Sequence, residues 1–299
     1  MTTSHPLDQA LRLEAAGSDL PGTWLGHTSP EYWNMVGPFG GTTAATALRA
    51  ILLHPALLGE PVALTVNYAA ALVEGPFTVT ARPVRTNRST QHWTVELSQA
   101  DANGDAGVVM TATAVTAARR ETWSQSDTPM PEATLPDAAA RLKVSSVAWT
   151  HRYDMLPVRG IIPQVWDGSG VDSLTQLWVR DDPPRPLDFP ALAALADVFY
   201  PRVWLRRATR VPAGTVSITT YFHADSQQLA QCGDAFCSAR RGRRLFATAS
   251  STRPRSCGAT PVCCWSRARR SSITRNETLV VSIGKHHEHT HPYFHRQHP

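Results

Sequence analysis

The sequence predicts an α+β fold built from two similar units, and three observations carry that prediction. A short helix rich in alanine, leucine and isoleucine is apolar nearly all round. Four segments enriched in Val, Thr and aromatic residues follow it. The order strand, helix, strand then recurs roughly 150 residues later.

Residues 23–35, TWLGHTSPEYWNM, read as a strand, a turn and a second short extended piece. In VGPFGG, Gly40 and Gly41 break what precedes, and Thr42 or Thr43 is expected to cap the helix that starts there. Ala44, Ala45, Ala47, Leu48, Ile51 and Leu52 leave that helix without a polar face. Such a helix is buried. PVALTVNYAAAL, GPFTVTARPVRT, STQHWTVELSQA and AGVVMTATAVTA read as strands, separated by Glu74-Gly75-Pro76, Thr86-Asn87-Arg88 and Asn103-Gly104-Asp105. A sheet of such strands must wrap the helix, which makes residues 1–117 one α+β unit. The polar, proline-bearing stretch 118–147 reads as a linker.

From 148 the pattern returns. THRYDMLPV and VDSLTQLWVR read as strands, DDPPRPLDFP as a proline-rich lead-in, and ALAALADVFYPRVW as a second helix over about 189–200, stopped near Pro201. GTVSITTYFHADS alternates as a strand. The second unit, 148–234, lacks its last strands, and residues 235–299 read as an irregular tail.

Charge separates that tail from the rest. Residues 235–299 hold twelve Lys/Arg against two Asp/Glu, whereas 1–234 hold the remaining 17 basic and 22 acidic residues. The first part therefore has no polyanion-binding balance. The tail's arginines sit in no recognisable nucleic-acid module, so no nucleic acid is expected as a partner. Cys232, Cys237, Cys257, Cys263 and Cys264 all lie after position 230, and five is odd, so no disulfide framework is read. Cys257, Cys263 and Cys264 lack zinc-site pairing, and HHEHTHPYFH (286–295) is a loose chelator at most, so no metal site is assigned. The N-terminal stretch lacks a signal-peptide pattern and no apolar run reaches membrane-spanning length. Cytoplasmic residence without membrane insertion is the expectation.

The repeat resembles the acyl-CoA thioesterase II-like family, whose fold is a double hotdog. The resemblance rests on FGGTTAATALRAIL in the first half, and on LWVRDDPPRPLDFPALAALADVFYP followed by GTVSITTYFHAD in the second, and it runs from about Gly22 to Asp234. It implies two antiparallel sheets, each wrapping a central helix, with the second unit incomplete. It also implies hydrolysis of an acyl-CoA by water, no cofactor, a role in fatty acid metabolism, and further assembly into a homo-oligomer. The family's catalytic Asp on the second helix falls on Asp197, and its Thr on the next strand falls on Thr215. Gly40 and Gly41 match the Gly-Gly turn, where a substrate could approach the backbone.

The residues themselves leave alternatives open. Asp197 is the sole charge between Phe189 and Tyr200, and such a group marks either a site or the solvent end of its helix. Thr215 is an ordinary strand residue, and Gly40-Gly41 is equally a plain tight turn. A dehydratase-like activity would want a catalytic His on a helix; His54 ends the first helix and His223 lies on a strand.

The tail has a second reading. Taking the third base of each codon with the first two of the next, FATASSTRPRSCGATPV (246–262) can encode RDGFFDQTAELWGDAG. That is a hairpin with Asp-Gly turn chemistry, and it resembles the family's closing strands. The codons of Ala268 and Arg269 can then encode the family's Gln. The hypothesis is a one-base slip near Asp234 or Ala235; a coding sequence in which no single-base change restores those strands would sink it. The chain as written lacks the Gln, so the second functional reading is a non-catalytic acyl-CoA or acyl-chain binding protein.

Overall fold

The structure is a computed structural model and describes residues 4–100, 104–120, 136–137, 141–142, 147–242 and the backbone of 278–282. Most of the expected linker lies outside the described residues. So do the cysteines at 257, 263 and 264, the His-rich tract and most of the segment with the second reading.

The first unit runs α1 (Pro6–Ala10), β1 (Glu14–Ala15), β2 (Thr23–His27), a 3-10 turn at Pro30–Tyr32, α2 (Gly40–Leu52), β3 (Glu60–Tyr68), β4 (Pro76–Thr86), β5 (Thr90–Ala100) and β6 (Ala106–Ala117). The second runs through a 3-10 turn at Ala148–Arg152, β7 (Tyr153–Arg159), β8 (Thr175–Asp181), α3 (Phe189–Leu195), α4 (Arg202–Arg207), β9 (Ser217–Tyr221), α5 (Ser226–Cys232), β10 (Cys237–Arg241) and β11 (Thr278–Ser282).

The strands form one continuous sheet in the order β1-β2-β4-β5-β6-β3-β9-β11-β10-β8-β7. The two units meet edge to edge, where β3 pairs antiparallel with β9 through Leu64↔Thr220 and Thr65↔Thr219. Pairing is antiparallel except at β11, which runs parallel to β9. Each half carries one central helix, α2 or α3, and these are the double hotdog's two hearts.

The side-chain alternation of β5 shows how the sheet wraps α2. Trp93, Val95 and Leu97 are buried while His92, Thr94 and Glu96 are exposed. Gln91 and Gln99 face inward too, and each is satisfied: the Gln91 amide bonds the Leu58 N–H and the Ala56 carbonyl, and the Gln99 amide bonds Val73 at both backbone groups. Along α2, Gly41 to Leu48, Ala50 and Ile51 are all buried and Arg49 is exposed. The helix has the apolar girth its sequence predicts.

Its start differs from expectation. Neither Thr42 nor Thr43 caps it: the helix begins at Gly40, Phe39 stands ahead of it without a side-chain cap, and both threonine hydroxyls donate back to the Phe39 carbonyl, at 2.7 and 3.5 Å. The stretch after Asp234 also differs from expectation. Beyond Asp234, Cys237, Ser238, Ala239 and Arg241 are buried as β10, which pairs with β8 from Cys237↔Val179 to Arg241↔Thr175. Part of the stretch expected to be an irregular tail is therefore seated in the sheet.

The two helices meet where both are small. A Cβ on Gly41 would stand 2.4 Å from the Ala194 carbonyl oxygen and 2.4 Å from the Phe39 ring. The backbone oxygen cannot yield, so α2 and α3 approach this closely only because residue 41 has no side chain. Gly41→Ala is expected to lower stability by about 1–3 kcal/mol, read as a fall in the thermal unfolding midpoint; an unchanged midpoint would mean the helices separate freely.

Candidate active site

The contact between α2 and α3 brings one carboxylate to a helix start. A Cβ built on Gly40 would lie 2.7 Å from Asp197 Oδ2, which locates that oxygen against the first residue of α2. Asp197 is not inside α3. The helix ends at Leu195, and the Asp197 N–H donates to the Ala194 carbonyl at 3.1 Å in the turn that follows. It is 6% exposed, which removes the reading that it marks a solvent end. First-turn N–H groups have no intrahelical acceptor, and a helix start favours negative charge. The carboxylate therefore sits where α2 is most electropositive.

Tyr68, on β3, connects this point to the second unit. Its hydroxyl donates to the Gly40 carbonyl at 2.7 Å, and its N–H donates to the Val216 carbonyl at 2.8 Å. Thr215 precedes Val216 in the extended segment leading into β9 and is half-buried. Among the described residues its side chain makes no hydrogen bond. The fold thus gathers Gly40, Gly41 and Asp197 directly, and brings Thr215 to within one residue of Tyr68's backbone partner.

Two charged groups at this site escaped the sequence reading. Arg241 of β10 forms an ion pair with Asp197, Nη1 to Oδ1 at 3.8 Å, with both side chains buried. Its only sequence signal was membership of an arginine-rich stretch. Asp181 closes β8 directly opposite Tyr153 in the β7–β8 register. Asp181 Oδ1 and the hydroxyls of Tyr153 and Tyr32 are buried without hydrogen-bond partners among the described residues. Burial raises the Asp181 pKa from 3.8 to about 7, against the opposing pull of Arg185. Burial also raises the Tyr153 phenol, and the charges of Asp181, Tyr32 and Asp197 add to that.

A pocket flanks another part of α2, lined by Thr42, Thr43, Thr46, Tyr32, Leu72 and Phe77, and Asp197 does not line it. His54 follows the far end of α2, about 20 Å from Gly40 at 1.5 Å per residue. Its ring packs edge-on against Trp24 and Trp93, and burial lowers its pKa. His223 is exposed. Neither histidine lies at the helix junction, so the dehydratase-like reading has no geometry behind it. Among the described residues no group of three potential metal ligands occurs, and no helix is long and apolar enough to cross a membrane.

Comparison with known proteins decides the family. Residues 29–117 match the model of the acyl-CoA thioesterase N-terminal domain, and residues 125–245 match the acyl-CoA thioesterase C-terminal domain. The chain belongs to the acyl-CoA thioesterase family. A conserved hot dog fold protein of unknown function from Alicyclobacillus acidocaldarius is 42% identical, with a TM-score of 0.73 over 82% of this chain and 89% of that one. A putative thioesterase II from Thermobifida fusca gives 16% identity and a TM-score of 0.62 over 82% and 89%. A tesB protein of Mycobacterium avium subspecies paratuberculosis gives 16% and 0.61 over 82% and 88%. These last two share the fold. No curated protein matches the chain significantly.

In this thioesterase-family chain the second domain's match reaches residue 245, past Asp234 and through β10. That match includes Arg241.

Asp181 gives the site a pH signature. Its folded pKa stands above the unfolded one, so between about pH 4 and pH 7 the folded chain keeps a proton that the unfolded chain has released. Stability contributed by that proton falls as pH rises through this window and stays low above it. Asp181→Asn is expected to raise the unfolding midpoint at pH 8 and leave it nearly unchanged at pH 4. An equal shift at both pH values would show that Asp181 carries no such linkage.

Proposed function

We propose that this chain hydrolyses acyl-CoA thioesters with Asp197 as general base. The observation that supports it best is a buried carboxylate held against Gly40 at the N-terminal turn of α2. Asp197 takes a proton from a water molecule whose oxygen attacks the thioester carbonyl carbon. The oxyanion that forms faces the Gly40 and Gly41 N–H groups, since those of Thr42 and Thr43 donate to the Phe39 carbonyl; both are fixed before the reaction begins and need no reorganisation. The C–S bond breaks, the thiolate of CoA leaves, and Asp197 returns the proton to sulfur. Thr215 helps hold the water, and the thioester approaches the backbone at Gly40, while Gly41 is taken up by the contact with α3.

This chemistry requires water and no cofactor. The reading also takes acyl-CoA as the small-molecule partner, the cytoplasm and fatty acid metabolism as the setting, and a homo-oligomer as the working form.

The test is free-thiol release from medium-chain and aromatic acyl-CoAs by the full chain. Asp197→Asn is expected to lower kcat by about 100-fold or more in protein that still unfolds cooperatively. Wild-type turnover surviving in the variant would remove Asp197 from the mechanism. Saturable acyl-CoA binding with no thiol release by the wild type would instead favour the non-catalytic binding protein.

A further inference from the structure

Asp197 shares its buried setting with a guanidinium that hydrolysis by itself does not call for. Arg241 lies at the end of β10 and is 4% exposed. Its Nη1 donates to the carbonyl of Ala196, the residue before Asp197, at 3.4 Å, while Asp197 Oδ1 stands 3.8 Å away. The guanidinium also lies over the Phe199 ring, 5.7 Å from its centre. At 3.8 Å the carboxylate feels the positive charge.

Arg241 is itself held from behind. Its strand position faces Thr175 of β8. Arg202, 2% exposed, sends Nη1 to Thr175 Oγ1 at 2.5 Å, to the Ser173 carbonyl at 3.1 Å and to the Arg241 carbonyl at 3.5 Å. Its Nε and Nη2 both donate to the Tyr200 carbonyl. Two arginines are thus built into the back of the turn that carries Asp197. Among the described residues, the groups facing that turn include Arg241 from β10, Arg202 from α4, the Tyr153 phenol from β7 and the Tyr68 hydroxyl from β3.

We propose that Arg241 is a positioning residue that fixes the turn carrying Asp197 and keeps its carboxylate charged against the start of α2. This rests on the hydrolytic reading above. A lone buried carboxyl takes up a proton, because burial disfavours its charged form. A neutralised Asp197 could not accept one from water. Arg241 prevents this with a charge that no accessible pH removes. Through the Ala196 carbonyl it also sets where the turn lies, so the field and the geometry come from one side chain.

Arg241→Gln keeps a donor for the Ala196 carbonyl and removes the charge; Arg241→Lys keeps the charge. Each is measured in the full chain for kcat, KM and the acidic limb of the pH–rate profile. Independently of activity, the Asp197 carboxyl is followed by carbon NMR through a pH titration, assigned with Asp197→Asn. In Arg241→Gln the Asp197 midpoint is expected to rise by about one pH unit or more. The acidic limb should move with it, and kcat at pH 6 should fall about tenfold while KM changes less than about threefold. Arg241→Lys should restore both. An unmoved midpoint, or a loss confined to KM, overturns the proposal.

If Arg241→Gln does not fold, adding Asp197→Asn decides. Recovered folding identifies the unpaired carboxylate as the fault, and continued unfolding overturns the pair. If the wild type hydrolyses no acyl-CoA, the hydrolytic reading fails on its own, and the carboxyl titration still tests the pairing.

Discussion

The contact between Gly41 of α2 and the Ala194 carbonyl of α3 is the constraint on which the rest depends. Two helices that are each apolar nearly all round need a sheet on one side and each other on the next. They can close to backbone contact only where one lacks a side chain. That closure puts the start of α2 against the end of α3, and the turn after α3 then delivers Asp197 to Gly40. The aromatic cluster beside it, Phe39 stacked on Trp149 at 4.3 Å with Tyr153 edge-on to both, fills the space around the same junction. Packing and chemistry therefore share one joint, and a change that widens it moves the carboxylate as well.

Electrostatics follow from that joint. Bringing a carboxylate into a core of alanine, leucine and phenylalanine is unfavourable unless positive charge comes with it. The structure supplies it twice, as the dipole at the start of α2 and as Arg241. Asp181 shows the other outcome. It lies a strand away, opposite Tyr153, and burial outweighs Arg185, so its pKa climbs to about 7. Two buried aspartates in one half of the fold thus have different surroundings: one is paired with an arginine, the other faces phenols. Cys237 on β10 fits the same rule, its thiol pushed up to about 12 by burial.

Much of this was legible in the sequence because periodicity reports burial. The all-round apolar surface of α2 and the alternation of β5 are visible in residue order alone, and so was the recurrence of strand, helix and strand. Asp197 stood out as a lone charge in an apolar run. What residue order hides is register and closure. Tyr153 and Asp181 meet only because β7 and β8 pair in one particular register. α3 reads as running to Tyr200 but ends at Leu195, because the Asp197 and Val198 N–H groups reach back three residues instead of four. β10 was missed because CSARR has neither apolar run nor clean alternation; it is flanked by β8 and β11, and Arg241 reaches the turn after α3. Composition marked this strand as tail, and only its partners make it part of the domain.

The central claim is that the α2–α3 junction is where the thioester sits. The most direct measurement is a crystal structure of the full chain with a non-hydrolysable acyl-CoA thioether. Hydrolysis by Asp197 predicts the carbon that replaces the carbonyl beside Gly40, with one ordered water about 3 Å from the Asp197 carboxylate. A thioether bound elsewhere, with its reacting carbon out of reach of a water held by Asp197, would contradict it.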